Sequence, residues 1–433
     1  MPAAGLRISV NAIRNLKNPS RLPVQARYTP STRQHRNMAT AATAPIGREI
    51  RAIGLIGFGH FLSHFYFFGM VPLFVSIRAE FGISLLEIGG ILTAWNIASG
   101  VLQTPMGVLV DRFGARRVLI GGLFITAAGF GLSGLTSSYW ELLILFFIAG
   151  AGNSVFHPAD YVILTASVDK SRQGRAYSMH SFGGSMGTAA GPAVMALLLI
   201  VTDWRTALMI GGAVGIVLSF IFVFSGDTLR EDASRKQKTK SDAPLRSMLN
   251  RGVILLFMFY VLTSSANIGL TAFAPIYLPT LYGLSVETAS FILSVLLFSN
   301  AIGTLFGGWL ADQTRRHDMV LIVAFSIYAA ILILVGTASI SLSVLIACFT
   351  VGGFARGIVN PSRDMMVREI APAGALGTVF AFVSTGFNVG QGLAPLAYGA
   401  LLDRGLDNEL LYLSAGFMIM SILLLVFSRD RRL

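Results

Sequence analysis

An all-α polytopic membrane protein, with twelve transmembrane helices in two six-helix halves related by a pseudo-twofold axis, is the fold this sequence predicts. Composition, the spacing of apolar segments and an internal repeat lead there. Of 433 residues, 54% are hydrophobic and only 12% charged, against about a quarter charged in an average soluble domain. Mean hydropathy is +0.69. These values exclude an ordinary water-soluble enzyme and a disordered scaffold. The 46 glycines fit a membrane protein, because Gly is tolerated better in membrane helices than in soluble ones. The one cysteine, Cys348, rules out an intramolecular disulfide and a Cys-based structural zinc site.

A bilayer crossing takes about 20 apolar residues. Twelve segments qualify: 52–77, 88–110, 117–137, 141–166, 173–200, 206–226, 252–278, 288–310, 319–338, 342–366, 374–402 and 409–428. Helices are expected, since lipid offers no partner to open backbone. A β-barrel would need alternation, which runs such as Leu142–Ile148 lack.

Orientation follows from the basic residues. With both termini in the cytoplasm, 28 of the 33 Lys and Arg fall on the inner side and three on the outer (Arg78, Arg205, Arg404). The remaining two, Arg356 and Arg363, lie inside the tenth span. This bias is the positive-inside pattern. The net charge of +12 is thereby assigned to topology and anionic lipid, not to nucleic acid.

Four parts are expected: a disordered basic tail (1–48), an N-terminal six-helix bundle (49–226), a cytoplasmic linker (227–250) and a C-terminal six-helix bundle (251–433). The tail holds eight basic residues and no acid. It has the composition of an organellar transit segment; the alternative is that Met38 is the true start. The linker carries Arg230, Arg235, Lys236, Lys238 and Lys240 among polar residues.

The halves repeat. At a separation of 203 positions, Pro72 meets Pro275, Pro158 meets Pro361, Gly187 meets Gly390 and Pro192 meets Pro395. In the second and eighth spans the separation is 201, pairing Gly107 with Gly308 and Asp111 with Asp312. Two parallel repeats about an axis along the membrane normal are a transporter architecture.

Gly107-Val-Leu-Val-Asp111-Arg112-Phe-Gly114-Ala-Arg116-Arg117 resembles the motif between helices 2 and 3 of the major facilitator superfamily. Gly308-Trp-Leu-Ala-Asp312-Gln-Thr-Arg315-Arg316 resembles its second-half counterpart. Gly187-Thr-Ala-Ala-Gly191-Pro192 is similar to the core of the fifth-helix motif of drug/proton antiporters, with Met195 and Ala196 where two further glycines usually stand. Gly59-His60-Phe-Leu-Ser-His64-Phe and Gly152-Asn153-Ser-Val-Phe-His157-Pro158 resemble the fosmidomycin-resistance branch of exporters. Phe146 occupies a place where many members carry an arginine, so no mechanism through that arginine is implied.

The resemblance implies that Asp111 latches to the N-terminus of the eleventh helix and Asp312 to that of the fifth, each at the positive end of a helix dipole. Gly107 and Gly308 would let helices approach closely, and Arg112, Arg116 and Arg117 double as orientation signals. The resemblance also implies a central cavity lined by helices 1, 4, 7 and 10. Asn153, His157 and Asp160 share one face of the fourth span at i, i+4 and i+7. Their mates are Arg356, Asn360 and Arg363, while His60 and His64 on the first span have mates Thr263 and Asn267. His180 is a secondary candidate. Asp160 and Arg363 are expected to face each other near the cytoplasmic mouth as a gate, paired when the inner side closes and apart when it opens, and Pro158 and Pro361 to interrupt their helices.

An ionised group at mid-membrane costs about 2.5–3.5 kcal/mol even on the lenient scale, so Arg356 is expected to work. Histidines change charge near neutral pH and suit proton handling. A metal enzyme built on His60, His64 and His157 is the alternative from another class, weakened because no carboxylate or Cys joins them on the first span. A receptor on the same fold is a third. No phosphate-binding Gly-x-x-x-x-Gly-Lys-Ser/Thr loop is present.

The expectation is therefore a non-enzymatic secondary transporter in the plasma (inner) membrane. It would export a small anionic or amphiphilic compound, drug-like or phosphonate-like, against protons. Uptake of an organic anion with a proton is the runner-up. A small-molecule substrate, protons and the lipid bilayer are the expected partners. A monomer is expected, with no cofactor, resident metal or nucleic acid.

Overall fold

A computed structural model describes residues 46–169, 172–225, 228–229, 250–370 and 376–429. The tail as far as residue 45 and linker residues 230–249 lie outside the described residues.

The N-terminal half contains α1 (Ile46–Gly69), a 3-10 turn (Val71–Leu73) and α2 (Phe74–Phe81). It continues through α3 (Leu85–Phe113), α4 (Ala115–Leu132), α5 (Tyr139–Asn153), α6 (Phe156–Ser167), α7 (Gln173–Val201) and α8 (Trp204–Phe224). The C-terminal half contains α9 (Arg251–Tyr282), α10 (Val286–Gln313), α11 (His317–Thr337), α12 (Leu342–Ile370), α13 (Leu376–Leu402) and α14 (Asp407–Arg429). Taking α1 with α2 and α5 with α6 as single broken crossings, these are the twelve spans expected. The chain is a multi-pass membrane protein of two six-helix halves.

Polar punctuation sets where the spans begin. Ser84 caps α3 in a capping box: its hydroxyl accepts from Glu87 N–H, and Glu87 accepts back from Ser84 N–H at 2.8 Å. Ser138, Asp203, Asn250 and Ser285 cap α5, α8, α9 and α10 in the same sense. Gly82 (φ 61°) and Gly283 (φ 65°) end the preceding helices in the left-handed region that glycine tolerates. These Gly and Ser stops and starts obey the 201-residue repeat.

Proline acts differently in the two halves. At Pro72 the first span passes through its 3-10 turn, whereas its mate Pro275 lies inside the unbroken α9. The fourth span breaks at Ser154–Val155, just before Pro158. The expected interruption at Pro361 does not occur, because α12 runs through it from Leu342 to Ile370. A proline inside a membrane helix can be accommodated where neighbouring helices satisfy the freed carbonyl.

Within the halves, α1 packs on α7, α3 on α5 and α4 on α8; α9 packs on α13, α10 on α12 and α11 on α14. Glycines permit the closest of these contacts. A Cβ on Gly187 would strike the Phe61 carbonyl, and one on Gly390 would lie 2.5 Å from the Val261 carbonyl. The halves meet through α3 against α13 and α7 against α10. At the end remote from the start of α1 and the end of α14, Asp403 accepts from the N–H groups of Leu85 and Leu86 at 2.7 and 2.9 Å. Two to three turns further in, Thr93 donates to the Gly392 carbonyl at 2.6 Å and Asn96 to that of Gln391 at 3.3 Å.

Candidate functional site

The N-terminal half holds a histidine cluster between α1, α6 and α7. His60 and His64 stand one turn apart on α1, with their Nε2 atoms 3.1 Å apart. His60 is buried, and its Nδ1 donates to the His180 carbonyl at 2.8 Å. The His60 and His180 rings stack in parallel, 3.8 Å between centroids and 2° between planes. His180 Nε2 lies 2.9 Å from Asp160 Oδ2, and both side chains are buried. His64 Nδ1 contacts the Thr188 hydroxyl at 3.0 Å, and that hydroxyl also reaches the Gly184 carbonyl at 3.0 Å. Gly184 makes room for the pair: a Cβ there would stand 2.6 Å from His60 Cε1 and 3.1 Å from His64 Cδ2.

The residues expected on one face of the fourth span do not share one environment. Asn153 ends α5 and ties three spans, accepting from Ser63 at 2.5 Å and donating to Ser99 at 3.1 Å. His157 is exposed, with its ring edge toward His60 at 5.3 Å. Asp160 is buried and turned toward α7, not toward the opposite half. The break at residues 154–155 changes the helical phase between the first residue and the other two.

The C-terminal residues are dispersed as well. Arg363 bonds to its neighbour Asp364 at 3.2 Å and lies 4.6 Å over the Tyr260 ring, and Tyr260 donates to Asp364 at 3.2 Å. Asp160 and Arg363 are not paired in this conformation, and the expected gate forms that pair only when the inner side closes. The Arg356 guanidinium faces Tyr328 on α11, within the C-terminal bundle, and its Nη1 is buried without a hydrogen-bond partner. Asn360 donates to Thr304 of α10 at 3.2 Å. Asn267 Oδ1 is buried and unbonded.

Around the latch motifs, Asp111, Arg112 and Asp312 are exposed. A Cβ on Gly107 would meet only Pro158 Cβ at 3.9 Å, and one on Gly308 would meet nothing within 4 Å. The close approach expected at these two glycines is absent from this conformation. Gly187 and Gly191 do sit in tight contact, against Phe61 and Gly69 of α1 respectively, with Pro192 inside α7.

His60, His157 and His180 each bring a ring nitrogen within 4.8 Å of the others, a spacing that invites a metal ion. The ring geometry does not serve one. His60 and His180 are parallel and stacked, so their in-plane lone pairs run side by side instead of converging. Both His60 nitrogens are engaged, one on a carbonyl and one on His64.

A sequence model of the Major Facilitator Superfamily matches residues 56–339 and 278–433. The chain belongs to the Major Facilitator Superfamily. Members of this superfamily are transporters acting on small molecules, not enzymes. Among superfamily relatives, the fosmidomycin resistance protein of Escherichia coli (strain K12) is 24% identical over 405 residues, covering 91% of this chain and 96% of that protein. The probable sulfoacetate transporter SauU of Cupriavidus necator is 24% identical over 371 residues, covering 79% and 85%. Solved superfamily structures agree in fold. An inward-facing, unoccupied bacterial homologue of the lysosomal transporter Spinster superposes with TM-score 0.70 at 15% identity, covering 88% of this chain and 95% of that one. The nucleoside transporter NupG gives 0.71 at 15% identity, covering 87% and 99%.

Sequence reasoning passed over Thr188 and Gly184 and ranked His180 second. One signal was present. His180, Gly184 and Thr188 recur every four residues on α7, a face that turns toward the His60 and His64 pair.

Proposed function

We propose that this chain is a proton-coupled secondary transporter that exports a small anionic or amphiphilic compound by alternating access. The observation that carries the reading is the cluster of buried His60, His180 and Asp160 with half-buried His64. Titratable groups inside a membrane span are costly and mark ion or substrate paths. Here His64 bonds to His60 and His180 bonds to Asp160, and the two pairs are joined by the stacking of His60 on His180 and by the bond of His60 to the His180 carbonyl.

The anionic substrate rests on α12, where Arg356 and Arg363 outnumber the one nearby carboxylate, Asp364. Bidentate guanidinium recognition suits a phosphonate, sulfonate or carboxylate. It also rests on relatives named for fosmidomycin resistance and for sulfoacetate transport.

We assign both termini to the cytoplasm and the chain to the plasma membrane on the basic-residue bias. In that orientation the contacts at Asp403, Thr93 and Asn96 close the outer side, and the exposed His157 faces inward. Asp111 and Asp312 act as latches in the opposite access state. The protein works as a monomer without a cofactor.

The experiment is counterflow and pH-gradient-driven flux in proteoliposomes, with fosmidomycin and sulfoacetate as probes. An imposed gradient should drive accumulation of one of them at least several-fold. Arg356→Ala should abolish anion flux while the protein still reaches the membrane. Flux that ignores the pH gradient would overturn the coupling, and wild-type flux in Arg356→Ala would return that arginine to a structural role.

A further inference from the structure

Four contacts run in a line from α7 to α1 and back to α7: the Gly184 carbonyl to the Thr188 hydroxyl, Thr188 to His64 Nδ1, His64 Nε2 to His60 Nε2, and His60 Nδ1 to the His180 carbonyl. Their lengths are 3.0, 3.0, 3.1 and 2.8 Å. Both ends are carbonyl oxygens, which only accept. Each contact therefore needs a hydrogen of its own from the groups between.

A threonine hydroxyl has one hydrogen to donate, and each neutral imidazole has one. That makes three donors for four contacts. His60 Nδ1 must carry its hydrogen, because a carbonyl faces it. Its Nε2 then accepts from His64, which leaves His64 Nδ1 bare. The Thr188 hydroxyl must turn to that nitrogen, and the Gly184 contact is lost. With one imidazolium in the pair, every contact is made.

We infer that His60 and His64 together form a binding site for a single proton, completed by Thr188 and by the Gly184 and His180 carbonyls. The ligand is H⁺ itself, bound once per pair and not once per histidine. A second proton would place a hydrogen on both Nε2 atoms, which face each other at 3.1 Å. The other titratable groups nearby are His180, stacked on His60; Asp160, bonded to His180; His157, edge-on to His60; and Tyr161, whose ring is 5.6 Å from that of His180. With Asp160 ionised, proton uptake neutralises the cluster. His180 is the competing acceptor, because its Nε2 already bonds to Asp160.

The consequence is mechanical. The line stitches α1 to α7 over two turns, and α7 in turn packs on α10 of the other half. Uptake of the proton reverses the Thr188–His64 bond, so that His64 donates across to α7, and restores the Thr188–Gly184 bond within α7; release undoes both. This consequence rests on the proton-coupled reading above; the proton count does not.

The test is proton uptake by purified full-length protein between pH 8.5 and 5, with 15N-histidine shifts recorded in the same range. His60→Phe, His64→Phe and the double variant should each bind one proton fewer than wild type. A double variant that loses two would overturn the shared site. Loss of none would move the proton to His180 or His157 and overturn it equally.

Thr188→Val keeps both histidines and decides the matter even where a histidine variant fails to fold. Its shortened line has two contacts and two neutral donors, so an extra proton gains no partner. Proton affinity of the pair should fall at least tenfold, moving uptake to lower pH. Thr188→Ser should stay within about twofold of wild type. Equal uptake in Thr188→Val and wild type would sink the inference. Should the wild type take up the proton while a pH gradient drives no flux, the site stands and the coupling falls.

Discussion

Asp160 is the residue whose surroundings matter most to the chemistry. Its Oδ2 bonds to His180, its Oδ1 is buried without a hydrogen-bond partner, and the histidine cluster lies behind that bond. A buried carboxylate favours a positive charge on nearby imidazoles. Asp160→Asn removes that charge and leaves the shape. Protons should then bind the cluster less tightly, so the pH–flux profile should shift toward lower pH, as measured in proteoliposomes. An unshifted profile would separate Asp160 from proton handling. The sequence shows these residues plainly enough: histidines and an aspartate inside apolar runs are conspicuous. It does not show where they point. Spacing of i, i+4 and i+7 implies one face only while the helix is continuous, and the break at Ser154–Val155 falls inside that interval. Thr188 stayed invisible for a different reason. A threonine in a membrane helix usually bonds its own i−4 carbonyl, and only the approach of α1 gives its hydroxyl a second partner.

At the scale of elements, hydropathy finds all twelve spans to within several residues at each end, because lipid enforces length and apolarity so strictly. Helix pairing is less legible. Glycine spacing hints at it, but the glycines divide into two kinds. Gly183, Gly187 and Gly191 on α7 lie against the α1 backbone, while Gly107 and Gly308 have room around them. Gly187→Leu should therefore force α1 from α7, with thermal stability of the purified protein falling by several degrees or folding lost. Gly308→Ala should leave thermal stability unchanged in this conformation. Should it slow turnover nonetheless, the tight packing that this glycine permits belongs to the other access state. A stability loss on Gly308→Ala as large as that on Gly187→Leu would contradict the distinction.

For the whole molecule, the repeat supplies the architecture and the departures from it supply the asymmetry. The histidines all but desert the second half, where His317 is the sole one, and the arginines remote from the span ends, Arg356 and Arg363, belong to it. On the proposed function, proton-binding and anion-binding groups are housed in opposite bundles, and a rocking of one bundle on the other would carry the coupling. The α3–α13 contact is where that rocking meets its stop. Asp403 at the end of α13 serves two of the first N–H groups of α3, which a helix cannot satisfy internally. Asp403→Asn weakens this contact by about 0.3–1 kcal/mol, the usual worth of a charge at a helix end, and should raise the outward-open fraction severalfold at most, as read by spin-label distances across that end. Because the cap comes from the other half, the amides of Leu85 and Leu86 are shielded only while the halves touch there. Their deuterium exchange becomes a clock built into the backbone: each opening toward that side leaves an isotopic mark at two known positions, so the frequency of opening can be timed in a protein carrying no label at all.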